Sequence, residues 1–420
     1  MKSLGLVGFG VSNKAVFEHF KDKYEIFVHN ESSIPLPNGA YGIFGEDYLS
    51  CTEDLVFRSP GVRPDRIKAR GRVICESDYA LGLLKCKKIL VSGSDGKTTT
   101  ASMIHSILKR EYSSYLGGNI GSPILNAVHS PPDFLVGELS SFQLIDSYPV
   151  SDTAVLTGIT ENHLNWHRDM DEYVLSKVNL LKNAGRIVLC YDCPTLRKIG
   201  EQYHNVSYFS LNDISHIKGS AYIKDGFFYL DGKRLFGLSV LKLRGYFNIL
   251  NALASILATY PYVSTLSQRL ALEEFTGVGH RMELACRIKD VEFINSSIDS
   301  TPSRTVATLS AFDTKKCILI LGGTDKGLSY DILREAVKSV KAILILGENK
   351  DKILNALSSL SNKIYTINNL TEAVPLAYKM ASRGDIVLLS PASCSFDSYG
   401  SYVERGNHFK SLALALGDSV

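Results

Sequence analysis

Short apolar runs alternate with amphipathic stretches along most of the chain. In the first part, runs that read as strands are separated by candidate helices such as NKAVFEHFKDK. Apolar strands alternating with helices are typical of βα units and predict a parallel sheet. The runs that we assign to strands here are LGLVGFG, YEIFVHN, LVFRSPG and RVICES.

Two further βα series follow the first. The second begins with KKILVSGSDGKTTT and continues through FLVGELSS, TAVLTGIT and RIVLCYD. A more irregular region at 205–240, with the short strands of AYIKDGFFYLDGK, leads to the helical NILNALASILATY. The third series starts near FTGVGHRMEL and contains the strands VEFINSS, CILILGG, AILILGE, KIYTIN and DIVLLSP.

Composition and charge narrow the class of protein. Hydrophobic residues make up 45% and charged residues 21% of the chain, which is typical of a globular protein. The formal charge of +3 arises from 46 basic and 43 acidic residues without a block of one sign, so nucleic acid is not indicated as a partner. The apolar runs are shorter than the roughly 20 residues that span a bilayer, so we expect no membrane insertion. Eight scattered cysteines suit a reducing cytoplasm.

The stretch VSGSDGKTTT resembles a phosphate-binding loop with one irregularity. A Walker A loop, G-x-x-x-x-G-K-[ST], would place its first glycine at Val91, whereas the first glycine is Gly93. A strand still leads into the glycines, and Lys97 and Thr98 open a helix, so backbone N–H groups would face an anion. Lys97 would reach the β- and γ-phosphates, and the Thr98 hydroxyl would bind Mg²⁺. The alternative is an ordinary βα loop with a capping threonine, and the loop alone does not separate an ATPase, a kinase and a ligase.

Three further polar residues are predicted to lie near this loop. Glu138 follows the strand FLVGE, His163 follows the strand TAVLTGIT, and Lys177 lies on the next helix. Alone, each is more often a surface charge or a structural side chain. Ligands of open α/β sheets gather at the carboxyl ends of the strands. The convergence of the three on one sheet edge therefore predicts a metal or catalytic site.

The length of 420 residues exceeds what one hydrophobic core usually serves. We predict an α/β fold with three consecutive α/β domains. The N-terminal domain, 1–88, is expected to be Rossmann-like. The central domain, 89–278, would be of the P-loop ATPase type with a mostly parallel sheet, and the C-terminal domain, 279–420, again Rossmann-like.

Taken in order, the motifs resemble those of the Mur ligases, the ATP-dependent amide-forming enzymes of peptidoglycan synthesis. The similarity runs from Gly8 to Gly406, and the set is closest to the branch that adds D-glutamate. In that family the loop is the shorter G-[ST]-[ND]-G-K-[ST], which puts its first glycine at Gly93. The motifs that carry the resemblance are GSDGKTTT, GGNIGSP, ELSSFQL, NHLNWH, GYFNILNA, GVGHRMEL, LGGTDKG and LLSPASCSFD followed by ERG.

The resemblance implies a role for each matching residue. The catalytic residues would be Lys97, Glu138, His163 and Lys177. ATP would be bound by Gly93, Ser94, Asp95, Gly96, Lys97, Thr98, Thr99, Asn248, Asn251 and Arg281. The substrate of this branch, UDP-N-acetylmuramoyl-L-alanine, is called the UDP-substrate below. Its UDP part would contact Ser12, Ser59, Pro60 and Gly61. Its muramoyl part would be contacted by Asn119, Ser140 and Gln143, or these residues would position the loop around it. The acceptor amino acid would be bound by Lys326, Ser395, Phe396 and Tyr402. Two Mg²⁺ ions would be held by Thr98, Glu138, His163 and Lys177, the last as a carbamate.

The resemblance also implies the reaction and its setting. The substrates would be ATP, UDP-N-acetylmuramoyl-L-alanine and D-glutamate, joined through an acyl phosphate with release of ADP and phosphate. We expect a cytoplasmic enzyme that acts as a monomer.

Several positions depart from the family pattern. Asn13 stands for a glycine, Asn162 for an acidic residue and Phe247 for a histidine. In FINSSIDSTPS, Ser296 replaces an aspartate, and Ile298 followed by Asp299 replaces a lysine and a small residue. If both side chains face the pocket, its charge changes by two units. The hypothesis that follows is an acceptor such as a basic D-amino acid, although D-glutamate stays the expected acceptor.

Other functions remain open on the residues alone. A folylpolyglutamate synthase-like ligase shares the central ATP site but would not be expected to begin with a βα domain such as the one around GFGVSN. Another Mur ligase with a different acceptor is a nearer alternative. An NAD-dependent oxidoreductase would rest on the weak fingerprint GFGVSN and leave GKTTT unexplained. A regulatory nucleotide-binding module would not need Lys177.

Overall fold

In a computed structural model, residues 2–120, 122–164, 166–325 and 327–418 are described. They form two compact units: the residues up to Lys242 together with Phe247–Phe275, and Leu243–Tyr246 together with the chain from Thr276 onward. The first unit contains two large β-sheets and the second contains one. The α/β class and the mostly parallel sheets predicted from the sequence are confirmed. The domain boundaries near 88 and 278 stay predictions.

The first sheet of the first unit is parallel, with the strand order β3-β2-β1-β5-β7. Its apolar side chains, such as Leu4, Leu6 and Val56, are fully buried. The strands β4 and β6 pair separately. The elements are β1 Ser3–Val7, α1 Val11–Phe20, β2 Glu25–Asn30, β3 Ala40–Phe44, β4 Ser50–Cys51, β5 Leu55–Arg58, β6 Lys68–Ala69, β7 Arg72–Cys75 and α2 Glu76–Leu83, with a 3₁₀ helix at Pro64–Arg66.

The second sheet has nine strands in the order β16-β15-β14-β13-β12-β11-β8-β10-β9. Its strands are parallel from β9 to β14, and β15 and β16 extend it as antiparallel strands. The strands are β8 Lys87–Ser92, β9 Ser114–Gly118, β10 Phe134–Glu138, β11 Val150–Leu156, β12 Asn183–Cys190, β13 Val206–Ser210, β14 Ala221–Lys224, β15 Phe227–Leu230 and β16 Lys233–Gly237.

The helices of this part include the predicted NILNALASILATY helix. They are α3 Lys97–Leu108, α4 Ser141–Leu144, α5 Met170–Val178, α6 Pro194–Gly200, α7 Tyr246–Thr259 and α8 Thr265–Glu274, with 3₁₀ helices at Ile124–His129, Asn179–Leu181 and Leu238–Val240.

Several strands of the second unit are continuously apolar because both faces of its sheet are covered. In β19, Ile318 and Ile320 pack into a core on one face, and Leu319 and Leu321 pack into a core on the other. A strand buried on both faces needs apolar residues at every position rather than at alternate ones. The strand order is β17-β18-β22-β19-β20-β21, with only β17 antiparallel among the described strands.

The elements of the second unit follow the predicted strands closely. They are β17 Glu283–Ile288, β18 Val291–Asn295, α9 Pro302–Leu309, β19 Cys317–Gly322, α10 Leu333–Ala336, β20 Ala342–Leu346, α11 Lys350–Ala356, β21 Ile364–Thr366, α12 Leu370–Met380, β22 Ile386–Leu389 and α13 Tyr402–Asp418, with 3₁₀ helices at Thr314–Lys316 and Ser358–Lys363.

The order of the nine-stranded sheet positions the candidate site. The strand β8 lies between β10 and β11, so the chain moves to one side after β8 and to the other after β10. Loops diverge at such a switch point and leave a crevice at the carboxyl ends of the strands. The phosphate loop follows β8, Glu138 ends β10, and the segment leading to His163 follows β11.

Two general expectations can be compared with the structure. Among the described residues, no helix combines the length and the apolar character that a bilayer crossing requires. All eight cysteines are free thiols.

Candidate active site

The phosphate loop depends on its two glycines. Gly93 has φ 140° and Gly96 has φ 79°, conformations that side-chain-bearing residues rarely adopt. A Cβ on Gly93 would overlap the Thr157 hydroxyl, and a Cβ on Gly96 would overlap the Asn251 amide oxygen. The loop therefore packs closely against the segment after β11 and against α7. The displaced first glycine stands where close packing requires it.

Hydrogen bonds fix the loop between these glycines. The Ser94 hydroxyl donates to the carbonyl of Thr160 at 2.9 Å and lies 2.8 Å from the Tyr173 hydroxyl. The Lys97 ammonium donates to the Ser94 carbonyl at 2.7 Å, so the charge lies beside the loop backbone. The Asp95 carbonyl accepts a hydrogen bond from Thr157. The Ser94 side chain thus maintains the loop, and the start of α3 supplies the N–H groups that can bind an anion.

Helix α7 braces the loop through two buried asparagines. The Asn251 amide oxygen accepts from the Thr100 hydroxyl at 3.1 Å, and its amide nitrogen donates to Asn248 Oδ1 at 3.2 Å. The structure therefore brings both predicted residues to the loop, with Asn251 in direct contact with it. Arg281 belongs to the second unit, and its predicted role at ATP stays a prediction.

Glu138 carries a buried carboxylate with one unused oxygen. The residue is 1% exposed and ends β10. Its Oε1 accepts from the Asn119 side chain at 2.9 Å. Its Oε2 is buried and has no hydrogen-bond partner among the described residues. Leaving a charged oxygen buried and unpaired is costly. A small divalent cation fits this atom, because Mg²⁺ prefers oxygen ligands.

Lys177 is a buried lysine beside the same loop. It is 2% exposed, donates to the Gly93 carbonyl at 2.7 Å and lies 4.6 Å from the centre of the Tyr173 ring. Burial, and then the positive charge of Lys97, hold the pKa of Lys177 well below its usual value. A lysine with a depressed pKa is neutral over more of the physiological range. A neutral amine can react with CO₂ to form a carbamate, whose oxygens are ligands that Mg²⁺ accepts.

His163 lies in the loop after β11 with its ring exposed. Its φ of 58° is in the left-handed region. Its backbone N–H donates to Asn162 Oδ1 at 2.9 Å, and its ring packs edge-on against Phe142 with centroids 5.0 Å apart. The substituted Asn162 thus stabilises the turn of the backbone through this bond.

The residues predicted for the UDP-substrate lie at the carboxyl edge of the first sheet. A Cβ built on Gly10 in the first turn would come within 3.8 Å of the Ser59 hydroxyl, so that turn adjoins the Ser59–Gly61 segment. Ser12 is half-buried in the first turn of α1. Asn13 is fully buried and donates to the carbonyls of Val7, Gly8 and Phe57 at 3.1, 2.7 and 3.2 Å. The departure from glycine thus adds hydrogen bonds that join α1 to the end of β1 and to β5.

Ser140 and Gln143 form a capping box at the start of α4. The Gln143 N–H donates to the Ser140 hydroxyl at 3.3 Å, and the Ser140 N–H donates to Gln143 Oε1 at 2.9 Å. Such a box satisfies two backbone N–H groups of the helix end. The geometry fits the predicted role of positioning the loop after Glu138.

Three of the four predicted acceptor residues lie close together along the chain, at 395–402 in the second unit. Ser395 is buried, whereas Phe396 is 67% exposed and Tyr402 is 41% exposed at the start of α13. Both exposed rings are available to a ligand. Lys326 lies outside the described residues, so its predicted role is not addressed by the structure.

The comparisons with known proteins bear on this arrangement. The model of the Mur ligase middle domain matches residues 91–259, and that of the Mur ligase, glutamate ligase domain matches residues 280–393. The chain is 35% identical to the UDP-N-acetylmuramoylalanine--D-glutamate ligase of Clostridium kluyveri, over 98% of this chain and 96% of the relative. It is 36% identical to the ligase of that name from Clostridium botulinum, over 99% and 97% of the two chains.

The chain belongs to the Mur ligase family. Mur ligases are ATP-dependent amide ligases of peptidoglycan synthesis and use Mg²⁺. Solved structures agree on the fold. UDP-N-acetylmuramate-alanine ligase from Thermotoga maritima aligns with a TM-score of 0.64 at 20% identity, over 99% of this chain and 100% of that chain. MurF ligase from the same organism, in complex with ADP, aligns with a TM-score of 0.62 at 16% identity, over 99% and 95%.

Asp299, one of the departures from the Mur ligase pattern, has a buried side chain. Asp299 is 4% exposed, and its Oδ2 accepts from the hydroxyls of Thr308 and Ser390 at 2.8 and 2.7 Å. Because this carboxylate faces the interior of its own unit, it does not place an open anion in a pocket. The premise of a two-unit change in pocket charge is therefore wrong for Asp299. Only the loss of the family's lysine at Ile298 remains.

Two buried polar residues with several contacts were not singled out from the sequence. His167 is buried, with Nε2 2.9 Å from the Ser141 hydroxyl and Nδ1 3.4 Å from Glu172, and burial lowers its pKa. Arg405 is buried and donates to the carbonyls of Ser297, Ser393 and Cys394. Burial lowers the pKa of Arg405 to about 10. The second histidine of NHLNWH and the ERG triplet were the available signals, but neither has a meaning without its contacts.

Proposed function

We propose that this Mur ligase joins D-glutamate to UDP-N-acetylmuramoyl-L-alanine and converts ATP into ADP and phosphate. The proposal is carried by one observation: a buried carboxylate with an unused oxygen, Glu138, and a buried lysine of depressed pKa, Lys177, flank a phosphate loop. Both Clostridium relatives described above carry the name of this activity.

ATP is proposed to bind at the loop between β8 and α3. The N–H groups from Gly93 to Thr99 would surround its phosphates, with Lys97 and Thr98 at the β- and γ-phosphates. Asn248, Asn251 and Arg281 are proposed to complete the nucleotide site. Lys97 already lies against the loop backbone, so a modest side-chain rotation would bring its charge to the phosphates.

Thr98, Glu138, His163 and carbamylated Lys177 are proposed to hold Mg²⁺ at two positions. When bound, Mg²⁺ neutralises phosphate charge and stabilises the transition states of phosphoryl transfer. The residues fit the ion because Glu138 offers an unpaired buried oxygen, and a carbamate would add an anionic oxygen donor where a cation would otherwise face the metal.

The chemistry requires activation of a carboxylate. At neutral pH a carboxylate does not react with an amine. The carboxylate oxygen of the UDP-substrate attacks the γ-phosphorus of ATP, the bond to the β-phosphate oxygen breaks, and ADP leaves. The amine of D-glutamate then attacks the acyl carbon and loses a proton. Phosphate leaves from the tetrahedral intermediate with the electron pair of the carbon–oxygen bond. Lys97 would stabilise the charge that develops in the first step.

Separate groups of residues are proposed to bind the UDP-substrate and the acceptor amino acid. Ser12, Ser59, Pro60 and Gly61 are proposed to bind the uridine diphosphate part. Asn119, Ser140 and Gln143 would position the loop around the muramoyl part. Lys326, Ser395, Phe396 and Tyr402 are proposed to bind D-glutamate.

D-Glutamate is favoured over a basic acceptor because Asp299 is not available to pair with a cation. Its carboxylate is buried and bonded by Thr308 and Ser390. We further propose that the enzyme acts as a monomer in the cytoplasm, where ATP is available and free thiols persist.

Phosphate release from ATP tests the proposal. Purified protein with Mg²⁺ is expected to release phosphate only when UDP-N-acetylmuramoyl-L-alanine and D-glutamate are both present, with the joined product identified by its mass. D-Lysine at equal concentration serves as the acceptor control and should give little product. Release that does not depend on both substrates, or preferred use of D-lysine, would overturn the assignment.

A further inference from the structure

A dense set of contacts joins the segment after β5 to the start of α5. At its centre is Arg63, which is 14% exposed and follows the proposed UDP-binding residues by two positions. Its guanidinium donates to the carbonyl of Trp166 at 2.8 Å and to both oxygens of Glu172 at 2.9 and 3.0 Å. It also donates to both oxygens of Asp65 at 3.0 and 2.9 Å. All of the hydrogen-bonding capacity of a guanidinium is thus directed at these three residues.

Trp166, the only tryptophan of the chain, completes this connection. Its indole N–H donates to the Gly61 carbonyl at 2.8 Å, within the proposed UDP-binding segment. Its indole ring stacks on the Phe142 ring with centroids 4.2 Å apart. The guanidinium carbon of Arg63 lies 5.1 Å from the centre of the Trp166 ring. Phe142 in turn contacts the ring of His163. The segment at Gly61 is therefore connected to the proposed metal-binding histidine by direct contacts.

Glu172 extends the connection to the phosphate loop. It lies in the first turn of α5, where its oxygens also accept from the Arg168 N–H at 2.9 Å. The hydrogen bonds from Arg63 lower the pKa of Glu172 to about 2, so the carboxylate is charged throughout the physiological range. The same helix carries Lys177, which donates to the Gly93 carbonyl. A displacement of Glu172 in the first turn of α5 would therefore also move Lys177 in its last turn.

We propose that Arg63 is a positioning residue that couples binding of the UDP-substrate at Ser59–Gly61 to the placement of His163 and Lys177 at the ATP site. The inference rests on the proposed function. Arg63 is suited to the role because a bidentate Arg–carboxylate pair fixes orientation as well as distance, which a lysine does not.

Coupling of this kind has a thermodynamic signature that a merely structural residue lacks. If the UDP-substrate tightens binding of Mg-ATP by a given factor, Mg-ATP must tighten binding of the UDP-substrate by the same factor. Removing the residue that transmits the effect should bring that factor toward one. A general loss of protein stability would instead weaken the binding of both ligands without changing the factor by which each affects the other.

Calorimetric titration of the full chain measures this factor. The dissociation constant of UDP-N-acetylmuramoyl-L-alanine is determined with and without Mg²⁺ and a non-hydrolysable ATP analogue. For wild type we expect a ratio of at least about fivefold, the lower end of common coupling factors. Arg63→Gln should reduce it to less than about twofold, and Arg63→Lys, which keeps the charge and loses the fork, should fall between the two.

Two further variants keep the test decisive. Arg110→Gln removes a more exposed arginine–carboxylate pair, with Glu274, that takes no part in this connection, and it should retain the wild-type ratio. Trp166→Phe removes the bond to Gly61 and reduces the ring that stacks on Phe142, but keeps the main-chain carbonyl that Arg63 binds. It should lower the ratio even if Arg63→Gln fails to fold. Wild-type protein that forms product but shows the same ratio as both Arg63→Gln and Trp166→Phe would overturn this inference alone. Failure of wild type to bind the UDP-substrate would instead overturn the proposed function.

Discussion

At the scale of single residues, the candidate site is marked by two ionisable side chains that are buried away from water. Glu138 keeps one buried oxygen without a hydrogen-bond partner in the part of the chain that the structure describes, and burial lowers the pKa of Lys177. Lysines whose pKa is depressed by burial, as that of Lys177 is, are concentrated at functional sites. The proposed cation and the proposed carbamate on Lys177 would give both groups a partner.

Lys177 provides a prediction at this scale. Its depressed pKa leaves a larger neutral fraction at pH 7–8 than an exposed lysine has, and only the neutral amine forms a carbamate. We expect turnover to fall when CO₂ and bicarbonate are removed and to recover when bicarbonate is restored. Lys177→Gln should lower kcat by about 100-fold or more, since a metal contributes several kcal/mol to such reactions.

The measurement is kcat together with the ¹³C NMR spectrum of protein equilibrated with ¹³C-bicarbonate. Lys182→Gln, at a lysine that contacts the Tyr148 ring, is the matched control and should keep both the activity and the carbamate signal. Wild-type activity in Lys177→Gln would contradict the role given to this lysine.

At the scale of elements, β8, α3 and α7 meet at glycines that leave no room for a side chain. The αL conformation of Gly96 starts α3, and its α-carbon faces Asn251. Its neighbours therefore fix the loop before any ligand arrives, and a preformed loop binds phosphate without a large ordering cost.

Gly96→Ala tests this packing. The added Cβ would overlap Asn251 Oδ1 in a backbone conformation that alanine adopts with strain. We expect the affinity for Mg-ATP analogue to fall by more than about tenfold, or 1.4 kcal/mol. Gly226→Ala is the matched control, because Gly226 has a similar φ of 76° and open space around its α-carbon. It should cost about 1 kcal/mol of stability and leave the affinity unchanged. Equal affinities for wild type and Gly96→Ala, measured by calorimetry, would disprove the claim.

The contact between α2 and the 3₁₀ helix at Ile124–His129 gives a pH-dependent prediction. Glu76 is 2% exposed, its Oε1 accepts from the Leu125 N–H at 2.6 Å, and burial raises its pKa from 4.5 to about 7. A raised pKa means that the folded protein favours the neutral acid. The resulting stability is complete below pH 4.5 and is lost as the pH rises through 7.

Glu76→Gln keeps the acceptor oxygen and removes the charge. It should match wild type near pH 4 and exceed its free energy of unfolding at pH 8 by on the order of 3 kcal/mol. Urea unfolding at the two pH values provides the measurement. Glu18→Gln, at a surface glutamate paired with Lys21, should show no such pH-dependent gain. A pH-independent difference for Glu76→Gln would rule out the burial effect.

At the scale of the whole molecule, the sequence predicted the features that local pattern determines. Continuous apolar runs such as Cys317–Gly322 predicted buried parallel strands, and the glycines and Lys97 predicted a phosphate loop after β8. Contacts between residues distant in sequence were not predictable. The burial of Asp299 depends on Thr308 and Ser390, and the role of Arg63 depends on Glu172. These side chains acquire their functions only when several loops meet.

The central claim for the molecule is that ATP activates the carboxylate of the UDP-substrate at this site. Transfer of ¹⁸O from that carboxylate tests it most directly. UDP-N-acetylmuramoyl-L-alanine labelled in its carboxylate is incubated with ATP, Mg²⁺ and D-glutamate, and the mass of the released phosphate is measured. The account predicts one ¹⁸O atom in each phosphate released, because the oxygen that attacks the γ-phosphorus leaves with it. Phosphate free of ¹⁸O, formed while the amide product accumulates, would contradict an acyl phosphate and with it the account.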